Sequence, residues 1–268
     1  MRKLRLIFIT VAIGLLSVSA KKGLNSSVFD WEKLSAKKTS TGQERKFFKS
    51  PTRSLEMIDV KAVTLLPGEK GNGYQIDEGF NELIIVKEGV IEISVNGDKK
   101  VLGEGSVIVA SFGDEMYITN PQKTNAVYYL IGFKPPKPVI KKGTSDDHFE
   151  APAPAPPLFI DWKDVEFKPA ANGGRRNIMQ QKTSALKELE IHVTTLKEGL
   201  PSHAPHTHPD EEIILVRKGF VEETIKGQPF RLGPGSIIFL TNDDMHGISN
   251  AGTGECEYFA IRWLTEGK

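Results

Sequence analysis

Short apolar runs separated by Gly, Asn and Pro dominate the chain beyond its N-terminal segment. They predict strands over 54–66, 82–87, 90–95, 106–110, 115–119 and 126–133. Asn96-Gly97-Asp98, lying between two alternating runs, predicts a tight hairpin, and Lys226-Gly227 takes the same place later in the chain. In the strand after Gly89, Ile91, Ile93 and Val95 alternate with Glu92 and Ser94, so the apolar set faces an interior. Helical periodicity is weak throughout this region. Many short strands with regular turns predict an all-β chain built as a sandwich or barrel.

The pattern occurs twice. At an offset of 131, Phe29-Asp30-Trp31 answers Ile160-Asp161-Trp162, Gly42 answers Gly173, Arg45 answers Arg176, and Thr52 and Leu55 answer Thr183 and Leu186. One residue is then lost, and from Ile76 the offset is 130: Glu82, Ile84, Gly89, Gly97, Gly105, Ser106, Asp114 and Asn120 all find their partners. Matches this dense on two offsets mark a duplication. Between the copies lie Lys-Pro-Pro-Lys-Pro and Ala-Pro-Ala-Pro-Ala-Pro-Pro, which form neither helix nor central strand and run as a polyproline-like spacer. The organisation read from this is a first domain over 24–135, a Pro-rich linker over 136–157 and a second domain over 158–268.

Residues 1–20 are of another kind. Arg2, Lys3 and Arg5 precede an apolar run from Leu6 to Val18, and Val18-Ser-Ala20 offers small residues for cleavage. This is the pattern of a secretory signal peptide, so the mature chain is expected to begin near Lys21 and to be secreted or periplasmic. The apolar run is shorter than the ~20 residues of a spanning helix, so no stable membrane anchor is expected after cleavage. A formal net charge of +1 gives no reason to expect a nucleic-acid partner. Cys256 is the single cysteine, which rules out an intrachain disulfide and suits a small buried hydrophobe.

The chemistry concentrates in the second copy. His206 and His208, one residue apart on extended chain, point to the same side, and Glu212 can return to the same place. His246 completes the set if the fold brings a hairpin's far strand alongside. At the equivalent positions the first copy has Ile76, Glu78, Glu82 and Met116, a poor donor set for a hard or borderline ion. The first copy therefore reads as a structural or substrate-shaping partner.

The spacing His-x-His-x3-Glu-x6-Gly at 206–219, with Gly235, His246 and Asn250 further on, resembles the two motifs of the cupin family. The tandem resembles a bicupin over nearly the whole mature sequence, which implies two jelly-roll β-barrels, of which only the C-terminal one binds metal. The resemblance implies one divalent transition metal at His206, His208, Glu212 and His246, with Mn, Fe, Ni, Co and Zn all suited to such ligands. It also implies a small polar substrate, such as an organic acid, sugar acid or phenolic. Thr241 and Asp243 depart from the family's usual Pro and Gly before the last histidine. Oxalate decarboxylases are the relatives it resembles least, because they usually keep a metal site in both halves.

Two further residues are candidates for catalysis. Glu223 stands where the first copy has Ile93, within the set Val221, Glu223 and Ile225; either it lines the barrel as a general acid or base, or the strand turns it to solvent. Arg262 stands where the first copy has Gly132, and either pairs with a substrate carboxylate or lies on the surface. Arg45 and Arg176, present in both copies, are expected to fasten N-terminal arms. His203 is read as a solvated loop residue or pocket rim, and His192 as facing outward or into the contact between domains. His148 falls in the linker. Asp210 and Glu211 compete with Glu212 as ligand. The chain reads as a metal-dependent enzyme of dioxygenase, isomerase, lyase or hydrolase type; the alternative is a module that binds a small ligand or metal without turnover. A homodimer is the partner arrangement expected of cupins, unless the two copies satisfy that interface within one chain.

Overall fold

The computed structural model describes residues 23–136 and 155–266. The proposed signal segment and most of the Pro-rich linker, His148 included, lie outside the described residues. Among the described residues the helical elements are two 3-10 turns, Trp31–Lys33 and Trp162–Asp164, and no helix is long and apolar enough to cross a membrane.

The rest is strand. The first repeat contributes β1 (Ser27–Phe29), β2 (Lys37–Lys38), β3 (Gly42–Ser50), β4 (Met57–Leu65), β5 (Tyr74–Gln75), β6 (Asn81–Glu88), β7 (Val90–Val95), β8 (Asp98–Gly103), β9 (Val107–Ser111), β10 (Glu115–Thr119) and β11 (Ala126–Lys134). The second contributes β12 (Leu158–Ile160), β13 (Lys168–Ala170), β14 (Gly173–Gln181), β15 (Glu188–Leu196), β16 (Glu211–Lys218), β17 (Val221–Ile225), β18 (Gln228–Leu232), β19 (Ile237–Leu240), β20 (His246–Asn250) and β21 (Cys256–Leu264). The hairpin between β7 and β8 turns on Asn96 and Gly97, at φ 53° and 91°, the left-handed pair that a two-residue turn between right-twisted strands requires.

Each repeat is a large and a small antiparallel sheet facing each other. In the first, β12-β9-β6-β11-β4-β3-β2 packs on β5-β10-β7-β8; in the second, β1-β19-β16-β21-β15-β14-β13 packs on β18-β17-β20. The large sheets are buried on both faces, which explains the unbroken apolar runs at 83–86 and 213–216. Ile84, Val86 and Ile108 face the first barrel's interior, and Ile214, Val216 and Ile238 that of the second. Their neighbours Leu83, Ile85, Val107, Ile213, Leu215 and Ile237 join Phe133, Phe259 and Trp263 in one core shared by the two repeats.

The repeats also exchange strands. β1, at the start of the first repeat, pairs with β19 of the second, and β12, at the start of the second, pairs with β9 of the first. The sequence boundary thus divides the repeats, whereas the sheets interlock across it. The arms are tied symmetrically: Trp31 N–H donates to Ser236 Oγ and Trp162 N–H to Ser106 Oγ, each at 3.1 Å. Arg45 donates to the Leu34 carbonyl and lies 4.6 Å over Trp31; Arg176 donates to the Val165 carbonyl and lies 4.7 Å over Trp162. Both arginines therefore fasten N-terminal arms.

Candidate metal centre

The small sheet of the second barrel places the chemistry. In the antiparallel pairing of β17 with β20, Ile225 lies opposite His246 and Glu223 opposite Ile248, so Val221, Glu223, Ile225, His246, Ile248 and Asn250 share one face, and all are buried. His206 meets His246 in a two-residue bridge, with backbone hydrogen bonds of 2.9 and 3.0 Å. In the first copy the same place is the β5–β10 pair. His208 follows at the barrel mouth, and Glu212 comes from β16 of the large sheet. Hence two sheets converge on one point.

The ligating atoms of His206, His208 and His246 lie within 4.8 Å of one another. Glu212 Oε2 is 3.1 Å from His208 Nε2 and 3.6 Å from His246 Nε2. His208 Nδ1 is 3.0 Å from the Asp210 carbonyl and His246 Nδ1 2.8 Å from that of Asp244. Each carbonyl is placed to accept a hydrogen bond from Nδ1–H, the tautomer that would free Nε2 to ligate an ion at the common point. His206 Nδ1 is buried with no hydrogen-bond partner. Three imidazoles and a carboxylate around a shared centre fit a borderline divalent ion.

The electrostatics divide the histidines: burial opposes a charge on His246, but its bonds to Glu212 and to the Asp244 carbonyl prevail and raise its pKa. Burial, then the neighbouring charges of His203, His246 and His208, lowers the His206 pKa to about 4, so this imidazole is neutral at physiological pH. Burial opposes the charge on Glu212, but its bonds to His208 and His246 prevail and hold the carboxyl low, at about 2. Glu223 is 0% exposed and neither carboxyl oxygen has a side-chain partner; burial, with the Glu212 charge adding to it, outweighs the His246 charge and the Gly247 amide and pushes its pKa up to about 8. A protonated acid therefore sits inside the barrel on the face that carries His246.

The neighbours of Glu212 are engaged elsewhere. Asp210 holds Arg262, which also lies 3.4 Å from Glu190. Glu211 is buried and turned the other way, accepting from Thr52 Oγ1 at 2.6 Å, Arg53 N at 2.9 Å and both the amide and the hydroxyl of Ser54. Arg262 is directly opposite Glu212 in the β16–β21 pair and is half-buried between its acids. His203 is exposed, its ring 4.2 Å from that of His206, at the rim of the site.

His192 is a correction. Ile191 and Val193 do point into the shared core, but His192 faces the other way, into the second barrel, with a side chain 12% exposed. It shares that face with Glu190, Arg262 and Glu212, and its Nδ1 lies 3.3 Å from Glu190 Oε1 without making a hydrogen bond. An alternating pattern names an outside only when one face is wet, and β15 has none. The turn before His246 holds a second surprise. Asp243 takes the left-handed conformation at φ 64°, as Gly113 does at 87° in the first copy, so the turn keeps its shape without glycine. In the first barrel, Ile76 and Met116 are buried, Glu78 is exposed and Glu82 accepts from the Tyr74 hydroxyl at 2.6 Å, so no ligand cluster forms there among the described residues.

Comparison with known proteins agrees with this geometry. A family model described as cupin domain matches residues 192–262, the stretch that holds every candidate ligand. No curated protein matches the chain in a sequence search. Among solved structures, Ylba from E. coli is similar at a TM-score of 0.66 and 16% identity, covering 90% of this chain and 91% of its own. AerE from Microcystis aeruginosa is similar at 0.62 and 15%, covering 91% and 100%. The oxalate decarboxylase of Lactobacillus farciminis, solved as a formate complex, is similar at 0.66 and 11%, covering 89% and 86%. At such identities the likeness is one of fold, and on fold alone the decarboxylase is no more distant than the others. Residues 192–262 thus match a cupin domain, and about nine-tenths of the chain shares the fold of these solved structures, a bicupin-like fold.

Proposed function

We propose that this chain is an exported, metal-dependent bicupin enzyme that converts a small polar substrate at one divalent metal site in its C-terminal barrel. His206, His208, Glu212 and His246 would hold the ion, and Glu223 is the acid/base group. The observation that carries the catalytic reading is Glu223: a fully buried carboxyl with no side-chain partner at either oxygen, beside the ligand strand. Leaving such a group in an apolar lining costs about 1–3 kcal/mol, a cost a structural position has no reason to bear. An ion held by these four residues would supply Lewis acidity toward negative charge on an organic acid, sugar acid or phenolic.

The chain's own residues supply the proton handling. With its pKa at about 8, Glu223 holds a proton at neutral pH and can deliver it to a substrate atom in the barrel, then recover one as base. The apolar neighbours Val221, Ile225 and Ile248 keep water from competing for it. Arg262 enters as part of a neutralised cluster with Asp210 and Glu190, so gripping a substrate carboxylate requires it to exchange one of those acids. Export rests on the N-terminal sequence pattern of residues 1–20.

The test is metal analysis of the purified mature chain beside His246→Ala, followed by turnover assays over small acids and phenolics with and without oxygen. The wild type should carry about one equivalent of divalent metal and the variant much less. Glu223→Gln should keep the metal and lose turnover by about 10²–10⁴-fold. A wild type that binds no divalent ion under any loading condition ends the proposal. Full activity in Glu223→Gln removes the acid/base role, and a metal-loaded wild type inert to every substrate leaves the binding-module reading.

A further inference from the structure

The first repeat has no ligand cluster among its described residues, yet it touches both segments that carry the second repeat's ligands. We propose that it is a positioning partner for the metal centre, with Ser26 and the 52–54 loop holding those two segments in register. This rests on the metal reading above.

The His246 segment is held through Ser26. Its hydroxyl accepts from Thr241 N at 2.9 Å and donates to Asp244 Oδ2 at 2.7 Å, while the Asp244 carbonyl fixes His246 Nδ1 at 2.8 Å. In the first repeat the matching turn makes this tie directly, Ser111 N donating to Asp114 Oδ2 at 2.7 Å, while Ser184 of the other repeat reaches only the Ser111 hydroxyl, at 2.9 Å. The hydroxyl of Ser26 is thus inserted between amide and carboxylate where the counterpart joins them directly, and the insertion occurs at the turn preceding a ligand. Arg53 adds a second tie, donating to the Asn242 carbonyl at 3.0 Å.

The Glu212 segment is held through Glu211, whose side chain points away from the metal point and takes four hydrogen bonds from Thr52, Arg53 and Ser54. The symmetry-related latch is made by Asn81, which accepts from Thr183 Oγ1 at 2.5 Å and Ala185 N at 2.9 Å and donates to Ser184 Oγ at 2.6 Å. The latch is a neutral amide beside the barrel without ligands and an acid beside the barrel with them. Because Glu211 and Glu212 are adjacent on β16, freezing the first from the interdomain side fixes the direction of the second toward the ion. A group hydrogen-bonded to a ligand typically supports metal affinity by about 10–100-fold, and the Ser26 tie holds such a group, the Asp244 carbonyl, in place.

The experiment uses the full mature chain and Co(II) alone as probe, reading the dissociation constant by competition with a chelator and the visible d–d spectrum. Ser26→Ala and Glu211→Gln should each weaken Co(II) binding at least about tenfold and alter the spectrum. Ser26→Thr, which keeps the hydroxyl, should restore both. Asn81→Ala breaks the opposite latch and should lower thermal stability with the Co(II) spectrum and affinity unchanged. Wild-type affinity and spectrum in a folded Ser26→Ala chain overturn the proposal while leaving the metal site standing, as does an equal loss in Asn81→Ala. Failure of the wild type itself to bind Co(II) sinks the metal reading instead.

Discussion

Glu223 shows what a single buried residue imposes on the whole. Its ordinary pKa of 4.5 rises to about 8 in the fold, with burial the main cause. Between those values the unfolded chain has released the proton and the folded chain has kept it, so stability falls as pH rises through that window. The contribution is intact below about pH 4.5 and is lost progressively toward pH 8. Metal-free Glu223→Gln should therefore be more stable than metal-free wild type near pH 8, by roughly a few kcal/mol, with the gap closing toward pH 4. Urea melts in chelator across that range decide it; parallel curves at every pH would show that Glu223 is not strained by burial. Spacing named His206, His208, Glu212 and His246 as candidates, whereas alternation left Glu223 open between the barrel lining and solvent, and only the fold turns it inward. The orientation of His192 was not readable, because a strand covered on both faces gives alternation no outside to point to.

At the scale of elements, the repeated sequence explains the repeated contacts. Gly105 and Gly235 match across the duplication, and both sit at positive φ, 89° and 91°, under a tryptophan of the other repeat. A Cβ on Gly235 would come within 2.7 Å of the Trp31 ring, and one on Gly105 within 2.6 Å of Trp162. Gly235→Ala should displace Trp31 and loosen β1 from β19, lowering stability by roughly 2 kcal/mol through backbone strain and lost packing. Thermal melts and hydrogen exchange at Ser27–Phe29 test it: unchanged protection would mean the arm is held by other contacts. The strands 90–95 and 115–119 were legible to the residue, since each sits in a small sheet with one wet face. β3, and the short exchange strands β1 and β12, carried no such alternation. β3 pairs with β2 and β4 of its own repeat, whereas the partners of β1 and β12 lie in the other repeat, beyond the reach of any local pattern.

For the whole molecule, the shared core decides behaviour. Leu83, Ile85, Phe133, Ile213, Leu215 and Trp263 belong to one apolar cluster, and each repeat lends the other a strand. Neither barrel can lose its structure without exposing the other's inner face, so unfolding should be a single cooperative event. Calorimetry of the mature chain is expected to show one transition with matching calorimetric and van't Hoff enthalpies. Adding excess divalent ion should shift that single transition upward, by RT ln(1 + [L]/Kd) in free energy. Two transitions, of which only one moves with metal, would show that the repeats stand independently.

The sequence by itself determined the all-β class, the duplication, the turns of the clearest hairpins, the four candidate ligands and the asymmetry between the copies. Each is a matter of residue type at fixed spacing, which local geometry translates directly. Only the tertiary structure decided that the repeats exchange strands, that Glu211 latches the domains rather than the metal, that Arg262 is engaged by Asp210 and Glu190, and that Ser26 reaches the turn before His246. Those contacts join residues far apart along the chain, and what brings them together is the packing of one large sheet against the other.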